Sequence, residues 1–157
     1  MTVEKIEQSI PHRSPMRLLD EIVSQTDSEI ICRKTFREEE FFVQGHFPGH
    51  PLVPGVIQCE CCLQAGAILL AGSALGGEHE HAVPVATRMD NVKFKRMVRP
   101  GETVEVHAVL KDRVSNAFFL TGKMTVGGKL ATRLDFACSI ANPAVADSNV
   151  ADSGTAE

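Results

Sequence analysis

One apolar run, Val56 to Ala74, carries a single carboxylate, Glu60, and is entered directly from the loop Gly45-His46-Phe47-Pro48-Gly49-His50-Pro51-Leu52-Val53-Pro54-Gly55. A helix that is apolar nearly all round must be covered on more than one side. The run approaches membrane-spanning length, but Gln58, Glu60 and Gln64 interrupt it and no basic residues flank it, so a buried helix is the better account.

The cover comes from the rest of the chain. Val3 to Ser9 reads as a short helix that Pro11 brings to an end, a lid or edge element. Arg17–Gln25 and Glu29–Phe36 read as a first hairpin around the turn Thr26-Asp27-Ser28, and Glu38-Glu39-Glu40 as a solvated turn. From Val83 onward the period changes to two. Val92 and Phe94 alternate with Lys93 and Lys95. Val104, Val106, Ala108 and Leu110 share one face, as do Phe118, Leu120, Met124 and Val126. Leu130, Leu134, Phe136, Cys138 and Ile140 share another, opposed by Ala131, Arg133, Asp135 and Ser139. Pro100-Gly101, the stretch Asp112 to Asn116, and Gly127-Gly128 punctuate these half-buried antiparallel strands. The fold class is α+β: a long helix wrapped by a twisted antiparallel sheet. Residues 1–141 read as one domain and residues 142–157 as a disordered acidic tail.

Charge and cysteine usage exclude several function classes. A net charge of −4 supplies no dominant basic field for nucleic acid or an anionic membrane. The five cysteines, Cys32, Cys59, Cys61, Cys62 and Cys138, lie inside apolar runs, which favours reduced, buried thiols in a cytoplasmic protein. The start of the chain lacks the pattern of a signal peptide. Cys59 and Cys62 have C-x-x-C spacing without a second pair, and His79 and His81 do not complete a coordination shell, so no metal is expected.

The chemistry concentrates at the loop and the helix it feeds. A helix starting near Pro54 or Gly55 presents unpaired N–H groups, and glycine at 55 would let a carbonyl approach the backbone. Pro54 suits the first helical position. Glu60, with Gln64 one turn beyond, sits among Cys59, Cys61 and Leu63, so its pKa should rise or it must find a partner. His46 on its stiff loop is the natural partner. A base and acid flanking a polarised carbonyl, and two core residues satisfying each other, both fit this spacing. His12 and His107 read as structural and His50 as a loop residue. Arg88, Lys93, Lys95, Arg96 and Arg99 form one basic cluster, either a solvated strand face or a docking patch for an anionic carrier.

The motif His46-Phe47-Pro48-Gly49-x-Pro51-x-x-Pro54-Gly55-Val56, followed by Glu60 and Gln64, resembles the β-hydroxyacyl-acyl carrier protein dehydratases of fatty acid synthesis. Ile10-Pro11-His12-Arg13-x-Pro15, Gln44-Gly45, Lys93-Phe94-Lys95-Arg96 and Pro100-Gly101-Glu102 extend the resemblance over roughly residues 6 to 140. It implies a hotdog fold and a homodimer, often built into a trimer of dimers, with His46 and Glu60 of one site coming from different chains. It makes His46 the base, Glu60 the acid and the Gly55 N–H the carbonyl-polarising group, and it implies acyl carrier protein with a phosphopantetheine-linked acyl group as partner and no cofactor. A related branch that also isomerises carries aspartate at the position of Glu60. The chain departs from the pattern at Ser14 and at Cys61-Cys62-Leu63, near the implied acyl tunnel. The alternatives are a hotdog thioesterase, a coenzyme A-dependent (R)-enoyl hydratase and a non-catalytic acyl-binding protein.

Overall fold

The computed structural model describes residues 2–73 and 82–142. The His79 and His81 pair and residues 143–157 lie outside the described residues. Element order is α1 (Val3–Ser9), β1 (Glu21–Gln25), β2 (Glu29–Thr35), α2 (Gly55–Ser73), β3 (Val83–Phe94), β4 (Thr103–Val114), β5 (Ala117–Val126) and β6 (Lys129–Ala141). The six strands form one antiparallel sheet in the order β1-β2-β4-β5-β6-β3, packed against α2. This is the hotdog arrangement.

α2 is long and apolar enough to cross a membrane by length and composition, yet most of it is buried against the sheet. Ile68, Leu69 and Leu70 are fully buried, each contributing about 1.5–3 kcal/mol of transfer free energy. Gly66 is required by a close approach: a Cβ there would lie 2.7 Å from the Phe136 ring. The two glutamines are buried and tied. Gln58 donates to the Val53 carbonyl at 3.2 Å and accepts from the Thr132 hydroxyl. Gln64 accepts from Leu18 N at 3.0 Å and donates to the Met16 carbonyl at 2.8 Å.

The period-two reading holds for most positions. Val104, Val106, Ala108, Phe118, Leu120, Met124, Leu134, Phe136 and Cys138 are all buried. Gly127 and Gly128 both have positive φ, as a two-residue hairpin between right-twisted strands requires. Four readings are corrected. β1 starts at Glu21 rather than Arg17, because the backbone at Leu18 is bonded to Gln64 instead of a strand. β4 runs to Val114, so the turn is only Ser115-Asn116. Leu130 is out of phase with Leu134: Met124 pairs with Thr132 and Thr125 with Leu130, leaving Ala131 as an extra, buried residue in a β-bulge. Glu40 is not merely solvated, since it pairs with Lys34, which is only 3 % exposed and also lies 3.7 Å from Asp20.

β3 stands at the sheet edge. It is 12 residues long and exposes Val85, Met89, Val92 and Phe94. A long edge strand with an apolar surface invites pairing with another chain.

Candidate active site

The loop 45–54 holds His46 by local contacts. Its backbone N–H donates to Val43 O at 3.0 Å, and its carbonyl accepts from Leu52 N at 2.7 Å. The ring stacks on Phe47 at 4.2 Å. His46 Nδ1 lies 3.1 Å from the Leu52 carbonyl oxygen, which can only accept. Nδ1 therefore carries the proton, and Nε2 of the neutral ring is left with a lone pair. That is the tautomer a general base needs.

His46, Gly55, Gln58, Phe94, Lys95 and Met97 line a cavity of about 450 Å³. α2 begins at Gly55, so Pro54 is not the first helical residue. Its carbonyl instead receives Ile57 N at 3.0 Å and Gln58 N at 3.2 Å. The N–H groups of Gly55 and Val56 remain at the positive end of the helix dipole. The space in front of Gly55 is not open: a Cβ there would lie 2.7 Å from the Phe94 ring. Phe94 is 54 % exposed, and Phe47, Val56 and Met97 are exposed as well.

Glu60 lines a different cavity of about 240 Å³, with His12, Leu63, Gln64, Ala67, Val83 to Ala86 and Cys138. Its neighbour within the chain is therefore His12 and not His46. Glu60 Oε1 accepts from Gln64 Nε2 at 2.9 Å and lies 3.5 Å from His12 Nε2. Burial pushes the Glu60 carboxyl up, but hydrogen bonding from His12 and Gln64 and the charge of a protonated His12 outweigh it, leaving the carboxyl below its ordinary value. Of the two outcomes expected for a lone carboxylate, partners rather than a raised pKa is the one observed. His12 thus lies beside Glu60, while His107 makes a surface contact of 2.9 Å with Glu29.

The two cavities sit at opposite ends of β3. Val83 to Ala86 border the Glu60 cavity, and Phe94 borders the His46 cavity.

The chain matches the FabA-like domain over residues 10–135. It is 39% identical over 140 residues to the 3-hydroxyacyl-[acyl-carrier-protein] dehydratase FabZ of Oenococcus oeni, covering 86% of this chain and 96% of that protein. It is 35% identical over 133 residues to the FabZ dehydratase of Lactococcus lactis subsp. cremoris, covering 85% and 90%. The chain belongs to the FabA-like family. In fold it is similar to the dehydratase heterocomplex ApeI:P of Xenorhabdus doucetiae, with a TM-score of 0.80, 15% identity, and 94% and 97% of the two chains covered.

The matched span takes in His12, His46, Glu60 and the basic cluster. Within that cluster Arg88 is paired with Asp90 at 2.6 Å and Arg96 with Glu102 at 2.7 Å. Arg99 is exposed, with Nη2 3.7 Å from Met97 Sδ. Lys93 and Lys95 are exposed. Strand register adds two cations that sequence reasoning missed: Lys93 stands opposite Arg133, and Arg133 opposite Lys123. Like charges directly opposite destabilise a sheet. Only the pairing of β3, β6 and β5 reveals the row. The cysteines are free and buried, and burial pushes the Cys32 thiol up to about 12 and the Cys138 thiol up to about 11. Cys61 and Cys62 rise as well, which leaves them poor nucleophiles.

Proposed function

We propose that the chain is a cytoplasmic dehydratase of type II fatty acid synthesis, converting (3R)-hydroxyacyl-acyl carrier protein to the trans-2-enoyl thioester as a homodimer. The observation that carries this reading is the placing of the His46 and Glu60 cavities at opposite ends of an exposed edge strand. Antiparallel pairing of β3 with its copy brings the Phe94 end of one strand beside the Val83 end of the other. His46 then faces Glu60 of the partner subunit, and the pairing covers the apolar residues of both strands. Such dimers are the unit of a trimer of dimers.

In each site His46 Nε2 removes the α-proton while the Gly55 N–H draws electron density onto the thioester oxygen. Substrate binding strips water from Glu60 of the partner subunit, and this added desolvation favours the neutral carboxyl over the carboxylate of the empty site. The acid then gives its proton to the β-hydroxyl, the C–O bond breaks, and water leaves with the double bond formed. Return of the proton from the histidine to the glutamate completes the cycle. This proton chemistry requires no cofactor. Glutamate at position 60, in place of aspartate, supports dehydration without isomerisation. Lys93, Lys95 and Arg99, extended by Arg133 and Lys123, form the surface for the acidic carrier, with Arg88 and Arg96 partly neutralised at its edge.

The test is to incubate the protein with crotonyl and 3-hydroxyacyl thioesters on carrier protein and on coenzyme A, following the enoyl absorbance. Interconversion is expected, faster on carrier protein. Release of free thiol would identify a thioesterase, a preference for coenzyme A thioesters a hydratase, and no turnover on either carrier a binding protein.

A further inference from the structure

Only one of the two Glu60 oxygens is engaged. Oε1 receives the Gln64 amide at 2.9 Å and faces His12 Nε2 at 3.5 Å, whereas Oε2 has no hydrogen-bond partner among the described residues. We propose that His12 is a positioning residue for Glu60: its Nε2–H holds Oε1 in place, so that Oε2 is the oxygen that passes its proton to the departing hydroxyl. This inference rests on the dehydratase reading above.

The other ring nitrogen indicates which tautomer is present. His12 Nδ1 is buried with no hydrogen-bond partner. An orphaned buried N–H is rarer than an under-used acceptor, so the neutral ring carries its proton on Nε2. A protonated ring donates from Nε2 as well, so either form presents an N–H to the carboxylate. At 3.5 Å the contact is longer than a formed hydrogen bond, and catalytic contacts of this kind tighten in the substrate complex.

The backbone carrying His12 is also fastened to the helix carrying Glu60. Arg13 Nη1 donates to the carbonyls of Ile10 at 3.0 Å and His12 at 2.8 Å. Gln64, the residue that donates to Glu60, grips Met16 O and Leu18 N just beyond. One amide thus ties the Glu60 carboxylate to the backbone four residues beyond His12. Among the residues lining this cavity the ionisable groups are His12, Glu60 and Cys138. Burial pushes the thiol of Cys138, and that of Cys61 beside Glu60 on the helix, upward, so both stay neutral. Beside the Gln64 amide, His12 is the ionisable donor lining this cavity that faces the carboxylate.

The experiment compares wild-type protein with His12→Phe, which keeps a ring without a donor, and His12→Gln, which returns an N–H. His12→Phe is expected to lower kcat about ten- to a hundredfold with KM within about twofold, the scale of a misplaced catalytic group. Its Tm should be unchanged or raised, because it removes an unpartnered buried nitrogen. His12→Gln should recover most of the lost kcat. The carbon-13 titration midpoint of the Glu60 carboxyl should rise in His12→Phe and stay near wild type in His12→Gln. Unchanged kcat in His12→Phe, or equal losses in both variants with an unmoved Glu60 midpoint, would overturn the proposal. If His12→Phe fails to fold, His12→Leu provides the same comparison. Wild-type protein that shows no dehydration while the Glu60 midpoint still moves in His12→Phe would reject the dehydratase reading and leave the contact standing.

Discussion

The two ends of β3 hold their key residues in opposite ways. At the Phe94 end, His46 is oriented by its own loop: the carbonyl that fixes its tautomer, Leu52, lies six residues on, and Phe47 stacks against the ring. At the Val83 end, Glu60 is held across the fold, by Gln64 on the same helix and by His12 from the segment after α1. The orientation of His46 is thus a local property of a glycine- and proline-rich loop, while that of Glu60 depends on tertiary docking. Changes near His46 should act on chemistry alone. Changes near Glu60 should act on chemistry and on packing together.

The largest expected effects break each end separately. His46→Ala and Glu60→Gln should each lower kcat by about 10²–10⁴-fold, the usual contribution of a general base or acid, with both proteins remaining folded dimers. Substantial activity in Glu60→Gln would reject its role as acid. Gly55→Ala should cost less. The added methyl meets the Phe94 ring at 2.7 Å, and that exposed ring must swing aside. A drop of about tenfold in kcat/KM, with Tm almost unmoved, would fit a slightly displaced Gly55 N–H. A large loss of Tm would instead place the role of Gly55 in packing.

Reversing Lys93 and Lys95 to glutamate should raise KM for carrier-protein substrates about fivefold at low salt and leave coenzyme A thioesters unaffected. Equal effects on both carriers would remove the docking surface and reassign the row to the substrate arm.

The smallest effect is the acid dependence of stability at the Glu60 end. The Glu60 carboxyl is held below its reference value of 4.5 in the folded chain. It therefore contributes stability that is fully present above that reference value and is lost as pH falls through the folded value. As pH falls below the reference value of 4.5, wild-type Tm should fall more steeply than that of Glu60→Gln. Parallel curves for wild type and Glu60→Gln would contradict the direction given for Glu60.

Legibility in the sequence followed the same division. The Gly/Pro loop, the apolar helix with one carboxylate and the alternating strands depend on neighbours in the chain, so residue order displays them. The pairing of His12 with Glu60 does not, because it depends on Gln64 gripping the backbone at Met16 and Leu18. The bulge at Ala131 shifts the phase of Leu130 in a run that alternates normally on paper. The Glu40 pairing with buried Lys34 and the row Lys93, Arg133, Lys123 likewise exist only through strand register and chain return. The expectation that burial raises the Glu60 carboxyl identified a real cause. The donors around it reverse the net direction.

The most direct test of a site completed across two β3 strands is subunit complementation. His46→Ala and Glu60→Gln proteins, each inactive, are unfolded together, refolded as a mixture and assayed for enoyl formation. A heterodimer of the two contains one intact site and one doubly altered site. Random pairing should therefore restore about a quarter of wild-type activity per subunit. No recovery, with heterodimers demonstrated in the mixture, would place His46 and Glu60 of each site on the same chain and contradict the account.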